Sequence, residues 1–195
     1  RATRGIEHGN FVIPRSAHPA FSRAGHALGV EIRRVASARN DFKADVAALE
    51  GRIDRNTIGL VGSAPCYPFG VFDPIRELGQ LALARGLWLH VDACVGGFLS
   101  PYVKRLGHAL PDWDFAVPGV TSLSADLHKH GMAAKGASLM LLRSRELKEK
   151  HQTFDFNEWE RGPYVAWTMQ GTRPGGAVAA AWATLQHLGD DGYMH

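Results

Sequence analysis

The sequence predicts an α/β fold, a mostly parallel sheet flanked by helices in three α/β/α layers. Three observations carry that reading. Short apolar runs alternate with amphipathic segments along the chain, which is the signature of repeated strand–helix units. The helical segments end on glycines, at Gly29, Gly51 and Gly86, where a left-handed residue closes a helix cheaply. No internal repeat or low-complexity linker divides the 195 residues, so they make one domain with room for a core.

In chain order, "FVIP" (11–14) reads as a strand. "SAHPAFSRAGHALG" (16–29) reads as a helix with Ser16 as N-cap and Gly29 as its stop. "VEIRRV" (30–35) is strand-like. "DFKADVAALEG" (41–51) reads as a helix that starts on an acid. "TIGLVGSAP" (57–65) is a buried strand entering a loop. "DPIRELGQLALARG" (73–86) is the clearest helix, with Asp73 as N-cap, Pro74 in the first turn and Gly86 as stop. "LWLHVDAC" (87–94) is another strand. "DFAV" (114–117), "SLSAD" (122–126) and "ASLMLLR" (137–143) read as further short strands, and a closing helix covers roughly 176–188.

Composition narrows the function classes. The chain is 45% hydrophobic with a formal net charge of +3, and its basic residues are scattered among acids. Nucleic-acid binding is therefore not expected. No run of about 18 apolar residues suggests a membrane span. Two cysteines, Cys66 and Cys94, make no disulfide framework, which argues for a reducing, cytoplasmic setting.

Two stretches could carry chemistry. In "HVDAC", residues alternate across a strand, so His90, Asp92 and Cys94 share a face. A carboxylate in an apolar run must be paired or hydrogen-bonded. Three readings compete. A metal site would use all three side chains, but alternate strand residues splay by about 7 Å and no metal-binding motif supports it. A solvated strand end is the plain alternative. The third is a carboxylate set against the cationic ring nitrogen of a cofactor. In "SLSADLHKHGMAAKG" (122–136), Lys129 stands between His128 and His130. By spacing alone this is a solvated basic turn, or an amine with a lowered pKa that forms a Schiff base.

The segments "SAHPAFSRAGHALGV", "GSAPCYPFGVFDPI", "HVDACVGGF", "DWDFAVPGVTSLSADLHKHG", "KGAS" and "GTRPGGAVAAAWATLQHLGDDGY" span nearly the whole chain. In order and spacing they resemble the pyridoxal 5′-phosphate-dependent decarboxylase superfamily of fold type I, and within it the sphingosine-1-phosphate lyases. The resemblance implies a PLP-dependent transferase-like large domain. It implies that Lys129 forms the Schiff base with pyridoxal 5′-phosphate. Asp92 would pair with the pyridine nitrogen and His18 would stack on the ring. His128 would contact the cofactor phosphate, with Asp126 in the same turn. Ser63 would sit at the cofactor's edge, and Cys94 would pack beneath the ring. Thr172 would reach the phosphate in the neighbouring subunit of a homodimer. Lys135 matches a second family lysine near the active site, and with Arg173 it would bind a substrate phosphate.

The implied reaction is carbon–carbon cleavage of a phosphorylated amine, a sphingoid base, to a long-chain aldehyde and phosphoethanolamine. An amino-acid decarboxylase, a non-catalytic remnant of the fold and a metal-dependent hydrolase are the rivals. The sequence departs from the family at Leu127, His130, Arg161 and Trp167. The resemblance begins after the family's upstream phosphate-cupping segment and stops before its C-terminal small domain. Residues 1–195 are thus expected to be part of a large domain, with weakened cofactor binding, low activity and any membrane anchor lying upstream.

Overall fold

The computed structural model describes residues 5–37, 40–151 and 153–195. Its core is a six-stranded sheet in the order β2-β1-β3-β4-β5-β6. These strands are β1 (Asn10–Pro14), β2 (Glu31–Val35), β3 (Thr57–Ser63), β4 (Trp88–Asp92), β5 (Ser122–Ala125) and β6 (Leu139–Leu142). The first five pair in parallel, and β6 alone runs antiparallel, against β5. A separate hairpin joins β7 (Phe154–Phe156) to β8 (Tyr164–Ala166).

The period-two pattern of the strands places the helices. Leu60, Leu89, Val91 and Leu123 point to one face of the sheet. There they are buried against Ile75, Leu78, Leu81 and Ala82 of helix α3 (Ile75–Arg85) and Leu49 of α2 (Val46–Glu50). Val61, His90 and Asp92 point to the other face. Helix α1 (Ala20–Leu28) covers part of that face, with Phe21 against Val61 and against the ring of His90. Beside α1 the sheet is open, and an apolar groove of about 400 Å³ runs over Phe11, Val61, Trp88 and His90. The remaining helices are α4 (Ser100–Arg105), α5 (Arg145–His151) and α6 (Gly176–Met194), the last broken at Gly189.

Glycine stops are where expected, although Gly51 ends α2 in right-handed backbone, at φ −63°. Gly29 and Gly86 sit at φ 61° in the left-handed region and end α1 and α3. Helix starts differ. Ser16 does not cap α1, which begins four residues later. The residue before Pro19 is kept out of helical backbone, and the His18 ring accepts the Ala20 N–H at 3.1 Å instead. The acid that caps α2 is Asp45, through the Ala48 N–H at 3.1 Å, so residues 41–44 are loop. Asp73 does not cap α3. Its carboxylate accepts the backbone N–H groups of Ala44 (2.7 Å) and Ser63 (2.8 Å), which binds three segments together. "DFAV" is a turn rather than a strand, because Asp114 folds back onto the Ala116 N–H at 2.8 Å. The closing helix breaks at Gly189, where its regular run is expected to end, and a further helical turn continues to Met194.

Candidate active site

Parallel strands bring their C-terminal ends to one edge of a sheet, where α/β folds place ligands. Here the segments leaving β1, β3, β4 and β5 carry His18, Ser63, Asp92 with Cys94, and Asp126 with His128 and Lys129, in that order. Residues separated by more than a hundred positions are gathered by topology alone.

Asp92 ends β4, in register with Ser63 of β3 and Ser124 of β5. Its Oδ1 accepts the Cys94 backbone N–H at 3.2 Å and the Ser124 hydroxyl at 3.4 Å. The expectation that this carboxylate must be hydrogen-bonded therefore holds. The Cys94 thiol donates to Ser124 Oγ at 3.3 Å. Burial, with Asp92 nearby, pushes that thiol up to about 12, so it stays protonated. The turn after Cys94 passes tightly under β5. A Cβ on Gly97 would lie 2.5 Å from the Ala125 side chain, so only glycine lets the loop close there.

Lys129 sits in the turn after β5. Its Nζ is 3.0 Å from Asp126 Oδ2. Asp126 is 6% exposed, and its other oxygen accepts the Ser138 hydroxyl. The amine does not have the lowered pKa expected from the sequence. Burial alone would lower it, but the hydrogen bond to Asp126 and the surrounding negative charge, Asp92 included, outweigh burial and raise it. The reciprocal holds for Asp126. Burial works against its charge, yet Ser138 and Lys129 win and hold it below the ordinary carboxylate range. His128 Nδ1 lies 2.7 Å from the Ala137 carbonyl, which can only accept, so Nδ1 carries a proton. Its Nε2 faces Asp126 Oδ2 at 3.5 Å.

With the geometry in hand, the comparison with known proteins decides the family. The pyridoxal-dependent decarboxylase conserved domain matches residues 6–195. The chain belongs to that family. Among its relatives, the sphingosine-1-phosphate lyase of Arabidopsis thaliana is 48% identical over 98% of this chain and 35% of its own length. A probable L-aspartate decarboxylase of Pyrococcus furiosus is 41% identical over 97% of this chain and 50% of its own length. The structure of the Burkholderia pseudomallei sphingosine-1-phosphate lyase superposes with a TM-score of 0.94 at 42% identity, over 100% of this chain and 44% of that one. The chain thus spans about a third to a half of the length of the relatives it matches. Membership brings a fold of type I, as the mostly parallel sheet agrees, and pyridoxal 5′-phosphate as the family's cofactor.

The residues present fit that cofactor. An aldehyde requires an amine, and Lys129 supplies one. A protonated ring nitrogen requires a carboxylate oxygen, and Asp92 Oδ2 has no hydrogen bond among the described residues. The two groups lie at the ends of adjacent strands and feel each other's charge. His18 is exposed at the start of α1, on the same edge. Ser63 is buried, with its backbone fixed by Asp73. Lys135 is exposed in the loop before β6. Thr172 is exposed ahead of α6 and makes no hydrogen bond to the Lys129 cluster among the described residues, so the structure does not bring it into the site of its own chain. His90 lines the apolar groove, with its Nδ1 2.9 Å from Ser122 Oγ. Burial takes its pKa down to about 4, so it is neutral. His90, Asp92 and Cys94 do not converge, and no group of three metal-ligating side chains occurs among the described residues.

Sequence reading missed Ser124, Ser138 and the Ala137 carbonyl. A signal existed for the first. Ser122 and Ser124 alternate on a central strand, where two polar residues on one face need partners. The register supplies them as His90 and Asp92.

Proposed function

We propose that this chain forms the cofactor-binding core of a carbon–carbon lyase that cleaves phosphorylated sphingoid bases. The observation that carries the reading is that Asp92 ends β4 and Lys129 follows the adjacent β5, near enough to feel each other's charge, in a chain 42% identical to a sphingosine-1-phosphate lyase of near-identical backbone. In the reaction, the bond between the amine-bearing carbon and its hydroxyl-bearing neighbour breaks. The hydroxyl gives up its proton and becomes the aldehyde, and the amine-bearing carbon gains a proton, leaving phosphoethanolamine.

Bound pyridoxal 5′-phosphate supplies a sink for the electron pair that the breaking bond releases. The side chains do the rest. Lys129 would hold the cofactor covalently and exchange places with the substrate amine. Asp92 would keep a proton on the ring nitrogen, since an adjacent carboxylate favours the charged form. Asp126 holds the ammonium of Lys129 whenever the amine is protonated. His18 would cover one face of the ring, and Ser63 its edge. His128, whose Nδ1–H is committed to Ala137, has only Nε2 to offer the cofactor phosphate. Lys135 and Arg173 would offer cations to the substrate phosphate.

We also read the protein as a cytoplasmic homodimer. Support for the dimer comes from the exposed apolar residues Met169, Val178 and Trp182, which flank Thr172 in the chain and suit a contact that delivers Thr172 to a partner's site. Both cysteines are free, and no described helix is long and apolar enough to cross a membrane.

An amino-acid decarboxylase is the second reading, favoured by the Pyrococcus furiosus relative. Incubating the chain and cofactor with a phosphorylated sphingoid base, and separately with amino acids, distinguishes the two. Long-chain aldehyde without CO2 is the expected result. CO2 release without aldehyde would overturn the lyase assignment.

A further inference from the structure

We propose that Ser124 is a positioning residue for the cofactor, fixing through Asp92 which carboxylate oxygen meets the ring nitrogen. The inference rests on the reading that Asp92 faces pyridoxal 5′-phosphate.

The argument begins with register. β4 and β5 pair in parallel with Asp92 opposite Ser124, so the serine hydroxyl and the carboxylate emerge side by side on one face. Ser124 Oγ is 3.4 Å from Asp92 Oδ1 and 3.3 Å from Cys94 Sγ. A hydroxyl has one hydrogen to give, and the partner that can only accept decides where it goes. The Asp92 carboxylate is that partner, which leaves the Cys94 thiol to donate. Held between the Asp92 and Asp126 carboxylates and half-buried, the thiol does not ionise near neutral pH. Ser124 Oγ accepts the Cys94 S–H, and the Ser124 O–H points at Asp92 Oδ1.

Cys94 adds a second donor to the same oxygen, its backbone N–H at 3.2 Å. Oδ1 is thereby engaged twice by the protein. Oδ2 is the carboxylate oxygen left for a ring N–H. Cys94 thus acts in the site as an oriented, protonated donor and not as a nucleophile. A small hydroxyl on a central strand, poorly suited to an apolar core, is accounted for by this chain from thiol to hydroxyl to carboxylate. Chains of this kind polarise one another and hold a single arrangement.

The experiment titrates the purified chain with pyridoxal 5′-phosphate and reads the visible band of the bound cofactor. Dissociation constant and pH midpoint of that band are measured for wild type, Ser124→Ala, Ser124→Thr, Ser124→Val and Lys129→Ala. The groups facing this cluster that also titrate are Asp92, Cys94, Asp126, Lys129, His128 beside Asp126 and His90 beside Asp92, and all six are unchanged in the serine variants. At 3.4 Å the contact is long for O–H···O, so Ser124→Ala is expected to weaken cofactor binding by about fivefold. Its pH midpoint is expected to rise, because a ring proton held less firmly leaves the chromophore more basic. Ser124→Thr restores the hydroxyl and should behave as wild type. Ser124→Val matches threonine in shape without the hydroxyl and should behave as Ser124→Ala, which keeps the test intact if the alanine variant fails to fold. Alanine and valine variants that match wild type in both quantities would overturn the proposal while leaving the cofactor reading standing. A wild-type chain with no band that depends on Lys129 would instead overturn the cofactor reading itself.

Discussion

Two buried aspartates lie along the same edge of the sheet and serve opposite ends. Asp73 is 1% exposed, and both its oxygens accept backbone N–H groups, from Ala44 and Ser63. Asp126 is 6% exposed, and its oxygens meet side chains, the Ser138 hydroxyl, the Lys129 ammonium and the His128 ring. For Asp73 burial dominates, and the pKa is raised. For Asp126 burial is outweighed by a cation and a hydroxyl, and the pKa is lowered. A carboxylate tied to backbone stitches segments together. One tied to a lysine amine and a hydroxyl sets the charge of the side chains around it. Burial alone does not separate the two roles, and the identity of the donors does.

Exchanging each carboxylate for its amide tests that contrast. The largest loss of stability is expected for Asp73→Asn, because the new NH2 faces a backbone N–H and leaves it unsatisfied. Urea unfolding should show a loss of about 2–3 kcal/mol. Asp126→Asn should cost less, about 1 kcal/mol, since Lys129 can turn to solvent. A folded carboxylate with a lowered pKa stabilises above its unfolded pKa and loses that contribution as pH falls. The stability gap between wild type and Asp126→Asn should therefore shrink below pH about 4. The same variant removes the partner that keeps Lys129 charged, so the acid limb of the cofactor attachment rate should move to lower pH. Equal stability losses for the two amides, with no change in that limb, would break the distinction. The smallest structural effect belongs to Cys94. Its thiol should be alkylated on the order of 100-fold more slowly than an unperturbed cysteine at pH 8, and should become reactive once the chain is unfolded. Rapid labelling of the native protein would mean that the thiol is not held as described.

Much of this molecule is legible in the sequence, and the exceptions follow a rule. Strands β1 to β5 and the stops at Gly29 and Gly86 depend on local period and on one residue's backbone freedom, so they can be read directly. Asp73 looks like an ideal N-cap before Pro74, but its oxygens go to segments 10 and 29 residues away, which local pattern cannot display. Asp41 and Asp45 are equivalent in sequence, and only tertiary packing selects Asp45. In the candidate site, Lys129 and Asp92 are found through the family resemblance, not through spacing, which leaves the basic turn and the metal reading open. The raised pKa of Lys129 is not legible because it depends on an ion pair within a turn whose shape is fixed by Ser138 and Ala137, which lie outside the 122–136 stretch.

The account rests on Lys129 being the lysine that takes the cofactor. Incubation of the chain with pyridoxal 5′-phosphate, reduction with borohydride and mass mapping of the peptides tests this most directly. The expected result is a single reduced cofactor adduct on Lys129, absent from Lys129→Ala. An adduct on Lys135, or one scattered over surface lysines with Lys129 unmodified, would contradict it.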